Sequence, residues 1–143
     1  MKALLFSSPM EAEAAFYRAF EEADLEAMMA VWADDEEIVC VHPSGPRLCG
    51  PEQIRESWRE LFRNGPSLRF SLAGRLLVNG ATLAVSSLTE NIQAIGEPGT
   101  QHSVTATNVY LLTTRGWRML AHHASSSPAP AAPPRPDTPP ILH

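Results

Sequence analysis

The chain changes its dominant hydrophobic period at Asn64-Gly65-Pro66, and that change restricts it to few folds. Before it, apolar residues recur three and four apart, as on a helix; after it come long β-type runs broken by turn residues. The runs cover 68–78, 82–95, 102–114 and 117–125, separated by Asn79-Gly80, a loop at 96–100 and Arg115-Gly116. The first and last separators are two-residue hairpin signals, so the four strands read as an antiparallel meander. A helical half must bury its apolar faces on such a sheet. The expectation is an α+β domain: a strongly curved antiparallel sheet wrapped around N-terminal helices, enclosing a mostly apolar pocket.

In the first half, Ala12, Ala15, Phe16, Ala19, Phe20 and Ala23 predict an amphipathic helix over 10–23, with Glu11, Arg18 and Glu22 outside. Asp24 can cap a short second helix over 25–32, whose apolar face is Leu25, Met28, Met29 and Trp32. The acidic run at 34–37 ends it, because carboxylates past a helix C-terminus oppose its dipole. A strand over 38–42, the turn Pro43-Ser44-Gly45-Pro46 and a return through Leu48 follow. Gly50-Pro51-Glu52 opens a third helix, which carries Ile54, Trp58, Leu61 and Phe62 on one face. The order is α-α-β-β-α-β-β-β-β. It occupies 10–125, between an N-terminal arm at 1–9 and a tail at 126–143. Seven of the 13 prolines fall in that tail, which reads as an extended, mobile polyproline-like segment.

A net charge of −5 and a pI near 5.5 argue against a nucleic-acid partner, which needs a basic footprint. No apolar run approaches the roughly 18–20 residues of a membrane span, and the start is too short for a secretory signal. The default expectation is a cytoplasmic protein with no membrane partner. Cys40 and Cys49 flank the 43–46 turn, where a hairpin would place them opposite each other. They are read as free, half-buried thiols or as a cross-strand disulfide.

Register decides which polar groups meet, since side chains alternate across a strand. A two-residue turn at Arg115-Gly116 sets Leu112 opposite Met119, Tyr110 opposite Ala121 and Asn108 opposite His123. Asn108, Tyr110, Leu112, Trp117, Met119 and His123 then share one face, taken as the inside. Thr105, Thr107, Val109, Leu111, Arg118, Leu120 and His122 take the other. His122 and His123 therefore cannot chelate one metal, and no metal site is expected. His123 reads as a general base or as a core histidine satisfied by Asn108. His42 reads as a base or as a strand-end histidine bonded to a turn backbone group. Glu90 joins Asn108's face if five residues follow Ile95 in the loop; otherwise it is a solvated carboxylate. Trp32 and Trp58 read as core residues or as pocket walls. The apolar outer positions Val109, Leu111 and Leu120 suggest a covering subunit.

Several strings occur in an order that resembles the NTF2-like superfamily, nearest its bacterial SnoaL-like and ketosteroid-isomerase-homologue branch. They are Val31-Trp32-Ala33-Asp34-Asp35, Val41-His42-Pro43 with Gly50 opening a helix, Ser57-Trp58, Ala106-Thr107-Asn108-Val109-Tyr110, and Gly116-Trp117-Arg118 running to His123-Ala124-Ser125. The resemblance covers about residues 10–125. It implies a cone with a pocket between the concave sheet and the helices, dimers formed through the outer sheet face, and isomerase, cyclase or dehydratase chemistry in some members. The steroid isomerases' carboxylate base is missing: Cys40 or His42 stands at the matching position. Tyr110 could donate to an enolate, but no Asp joins it, so a conventional steroid isomerase is not expected.

Two functions remain open at this point. One is a proton-transfer isomerase, cyclase or lyase acting, without a cofactor, on a small apolar carbonyl compound. His42 or His123 would be its base, Asn108 and Tyr110 its orienting groups or donors, and Trp32, Trp58, Leu112, Met119 and Glu90 its pocket lining. The other is a non-catalytic ligand-binding or dimerisation domain.

Overall fold

The structure, a computed structural model, describes residues 5–96 and 101–127. The proline-rich tail expected from residue 126 lies almost wholly outside the described residues. The elements are α1 (Pro9–Glu22), α2 (Leu25–Val31), β1 (Val39–Val41), β2 (Arg47–Cys49), α3 (Gly50–Asn64), β3 (Leu68–Asn79), β4 (Leu83–Ala94), β5 (Gln101–Thr113) and β6 (Gly116–Ser126).

Local chemistry explains the helix ends. The Ser8 side chain accepts from the Glu11 N–H and Pro9 fills the first turn of α1, where a missing N–H costs nothing. Ala23 closes α1 in the left-handed region, at φ 51°. Asp24 caps α2 as the sequence predicts, accepting from the Ala27 N–H. Pro51 sits in the first turn of α3, and the Gly65 N–H caps its end on the Leu61 carbonyl.

The six strands form one sheet in the order β2-β1-β6-β5-β4-β3, with β1 parallel to β6 and the other neighbours antiparallel. The expected four-strand meander is its larger part. Phe16, Met28, Val31, Ile54, Trp58 and Met119 are fully buried between the helices and the inner face. Phe20 stacks edge-on against Trp58, with ring centroids 4.8 Å apart. On the other face, Leu83 lies opposite Leu111, and Val85 lies between Val78 and Val109.

Three register expectations are corrected. Asn79-Gly80 is not a two-residue turn: residues 80–82 join β3 to β4, and the Gly80 N–H donates to the Leu83 carbonyl at 2.9 Å. The β5–β6 turn is Thr114-Arg115, because Thr113 pairs with Gly116. That shift alone leaves the faces unchanged: Tyr110 now meets Met119, and both point inward. A bulge at Leu120 then inserts one residue, so Val109 meets Ala121 and Asn108 meets His122. One extra residue reverses every side chain beyond it. His122 is therefore inside, 1% exposed, and His123 lies exposed on the outer face.

The cysteines are also displaced by one position. Cys40 pairs with Leu48 and Cys49 with Val39, so the two thiols point to opposite faces. Both are free; Cys40 is buried, with its thiol pushed up to about 12 by desolvation, and Cys49 is exposed rather than half-buried.

Candidate functional site

The interior expected to be mostly apolar holds a polar network at its centre, built from α1 and four strands. Glu13 is its hub. Oε1 accepts from Arg75 Nε at 2.8 Å and Ser86 Oγ at 2.9 Å. Oε2 accepts from Tyr110 Oη at 2.6 Å and Asn108 Nδ2 at 3.0 Å. A carboxylate 1% exposed would be costly alone; four donors, one of them a guanidinium, replace its water.

Asn108 connects this hub to the rest. Its Nδ2 also donates to Tyr17 Oη at 3.1 Å, so both amide protons are committed. Oδ1 must then face His122 Nδ1, 2.6 Å away, and the ring carries its proton on Nδ1. Complete burial pushes His122 down to about 3, so the ring is neutral across the physiological range. Tyr17 in turn donates to Glu90 Oε2 at 2.6 Å. Glu90 is pushed up to about 7, chiefly by desolvation, with the Glu13 charge adding and the Tyr17 hydrogen bond opposing. Two carboxyl groups in one desolvated site thus have different surroundings: Glu13 sits among four donors, Glu90 against one phenol.

Some expected site residues are brought together and others are not. Asn108, Tyr110 and Glu90 share the inner face, since Ser86 opposes Asn108 and Glu90 opposes Val104. Trp32, Trp58 and Met119 are buried, whereas Leu112, on the expected face, is 43% exposed. His123 takes no part in the interior. His42 is half-buried, its Nε2 3.1 Å from Ser57 Oγ and its ring edge-on to Trp58. Its partner is thus a side chain of α3 rather than a turn backbone group. Ser57 gives its own proton to the Ile54 carbonyl at 2.8 Å, so it accepts from His42 and is not a nucleophile primed by it. Burial lowers the His42 pKa. Among the described residues no group of three or more His, Cys, Asp or Glu is placed to hold a metal, and no helix is long and apolar enough to cross a membrane.

Sequence reasoning missed Glu13, Tyr17, Arg75 and Ser86. The signal for the first two was present: Glu13, Phe16, Tyr17 and Phe20 are spaced three, one and three apart, on the helix face that covers the sheet. The network reaches the surface beside α1 and β3. There Tyr17 and Arg75 border a groove of about 410 Å³, with Met10, Arg18, Phe70 and Leu72 around them. A larger cleft, about 650 Å³ beside Trp32, Arg55 and Arg118, touches no member of the network.

Comparison with known proteins agrees with this architecture. A candidate calcium/calmodulin-dependent protein kinase type II association domain from Thiobacillus denitrificans is 35% identical, with a TM-score of 0.81 over 87% of this chain and 98% of that one. A candidate dehydratase of the NTF2-like family from Streptomyces avermitilis is 30% identical, with a TM-score of 0.74 over 82% and 93%. A candidate ketosteroid isomerase from Parabacteroides distasonis, 19% identical over 84% of this chain and 88% of that one with a TM-score of 0.65, shares the fold. The F-box protein SKIP8 of Arabidopsis thaliana is 24% identical over 113 residues; the match takes 77% of this chain and 46% of that protein, so the chain spans about half of this curated relative. The family model described as the SnoaL-like domain matches residues 10–130, and the chain belongs to that family, with the NTF2-like cone as its fold.

Proposed function

We propose that this SnoaL-like domain holds a small apolar carbonyl compound and moves a proton on it, as an isomerase, cyclase or lyase. The observation that carries this reading is the 2.6 Å Tyr17–Glu90 hydrogen bond in a desolvated interior, with Glu90 poised at about 7. A carboxyl group with that affinity both accepts and returns a proton near neutral pH. The Tyr17 hydroxyl lines the groove and gives its one proton to Glu90; once Glu90 takes the substrate's proton it donates back to Tyr17, which frees the phenol proton for the developing enolate oxygen. Glu90 thus takes the role that the sequence offered to His42 or His123. Asn108 acts through Tyr17 as a positioning residue, and Tyr110 is committed to Glu13. The likeness to a candidate dehydratase at 30% identity supports the reaction class.

The test is α-proton exchange. Ketones and β,γ-unsaturated carbonyl compounds are incubated with the protein in D2O and followed by proton NMR. The wild type should exceed buffer, with a rate rising through about pH 7 as Glu90 ionises. Glu90→Gln should lower the rate by about 100-fold or more. Exchange at the buffer rate across the panel, or equal exchange by Glu90→Gln, overturns the reading.

A second reading, an association module, is favoured by the 35% identity to the candidate kinase association domain. Leu76, Val78 and Leu83, which are 72%, 71% and 46% exposed, extend the outer apolar patch expected at Val109, Leu111 and Leu120. A homodimer through that face would cover it. Light scattering should then give twice the 15.6 kDa chain mass, and Val78→Glu should return it to monomer. A monomeric wild type at tens of micromolar removes this reading.

A further inference from the structure

We propose that the groove between α1 and β3 is a binding site for a small apolar carboxylate, its acid group held by Arg75 and Arg18. This deepens the proton-transfer reading, and rests on it for the identification of the ligand with the substrate: a carbonyl compound that also carries a carboxylate.

The site is built by a bulge. Ala73 pairs with Thr89 and Leu76 with Ser87, so Gly74 and Arg75 together oppose the single residue Leu88. Gly74 has φ 64°, and a Cβ there would meet nothing within 4 Å, so the backbone angle rather than space calls for glycine. Bulges re-aim side chains. Arg75 leaves the alternation of its strand and turns to Glu13, which it engages through Nε at 2.8 Å. Its side chain is 32% exposed, and its two Nη groups remain for the groove.

The surroundings select the ligand. Met10, Phe70 and Leu72 give an apolar wall, and Arg18 stands exposed beside Tyr17. Glu21, on the same rim, spends Oε2 on the Phe70 N–H at 2.8 Å. Arg75 is paired with Glu13 and Arg18 shares the rim with Glu21, so the groove has no net charge to offer a doubly charged phosphate, and a single carboxylate is held by the free Nη donors of Arg75 with Arg18 beside them. A planar guanidinium also fits a carboxylate in two-point contact. The volume of about 410 Å³ lies within the range of small-molecule sites.

Calorimetric titration of the full chain with 4-phenylbutyrate and with 4-phenyl-1-butanol tests the site without turnover. The acid should bind about tenfold or more tightly than the alcohol. Arg75→Gln should remove most of that preference. Arg18→Gln, at an exposed position outside the network, should weaken the acid by about threefold, with melting temperature and alcohol affinity unchanged. It keeps the test decisive if Arg75→Gln does not fold. Equal affinity for acid and alcohol, no acid binding below about 5 mM, or acid binding insensitive to both arginine variants overturns the proposal. The two readings fail separately. Acid binding that survives in Glu90→Gln, with no exchange on any carbonyl compound in the wild type, sinks the enzyme and keeps the site. Exchange on neutral ketones without acid binding does the reverse.

Discussion

Replacing Asn108 by leucine removes the side chain that touches Glu13, Tyr17 and His122 at once. Glu13 keeps Arg75, Ser86 and Tyr110, so the loss falls mainly on Tyr17 Oη and on the Nδ1–H of His122. His122 is 1% exposed, and its donor is left without a protein acceptor or bulk water. An orphaned buried polar group costs about 1–3 kcal/mol, and a lost hydrogen bond to a charged group about 1.5–3 kcal/mol. The added apolar burial of leucine offsets part of this. The expected destabilisation is roughly 3–5 kcal/mol. The sharper readout is the double-mutant cycle with His122→Leu. In the wild type that change leaves Asn108 Oδ1 unpaired and costs about 1–3 kcal/mol; in Asn108→Leu it deletes a group already orphaned and costs about nothing. Urea unfolding at fixed protein concentration, read from fluorescence of the three tryptophans, measures all four corners. A cost under about 1 kcal/mol for Asn108→Leu, or His122→Leu costing the same in both backgrounds within about 0.5 kcal/mol, refutes the network as the organiser of the interior.

Glu90 and His122 should oppose each other in the pH dependence of stability. Glu90, raised to about 7, contributes stability that is present below its usual value of 4.5 and lost as pH rises through 7; His122, lowered from 6.5 to about 3, contributes stability that is lost as pH falls below 6.5. Between pH 4.5 and 6.5 their slopes cancel, so Glu90→Gln should uncover stability that rises with pH, by at most about 1.4 kcal/mol per pH unit; a variant profile parallel to the wild type contradicts this. A thiol-reactive dye should label Cys49 alone in the native protein and both cysteines after denaturation, and native labelling of Cys40 would show that its burial is wrong. Gly116→Ala should lower the melting temperature, because a Cβ there would lie 2.6 Å from the Phe6 carbonyl and the residue has φ 85°. The left-handed backbone alone costs about 1–2 kcal/mol, so an unchanged melting temperature would mean that residue 116 does not hold this backbone angle.

Period and punctuation are local properties, and they determined the element order, the cap at Asp24, the third helix opening at Gly50-Pro51 and the four-strand meander. They also placed Asn108, Tyr110 and Met119 on the concave face, because an alternation of two survives a turn shifted by an even count. The exchange of His122 for His123 came from one bulged residue at Leu120, which alternation along a single strand does not reveal. The inward turn of Arg75 has the same origin at Gly74. Four donors on Glu13 come from β3, β4 and β5, up to 97 residues away in sequence, and no spacing rule relates them. The chain alone therefore determined the container and most of its inner face. Packing α1 against the sheet decided that its centre is polar, and that desolvation pushes Glu90 up to about 7 and His122 down to about 3.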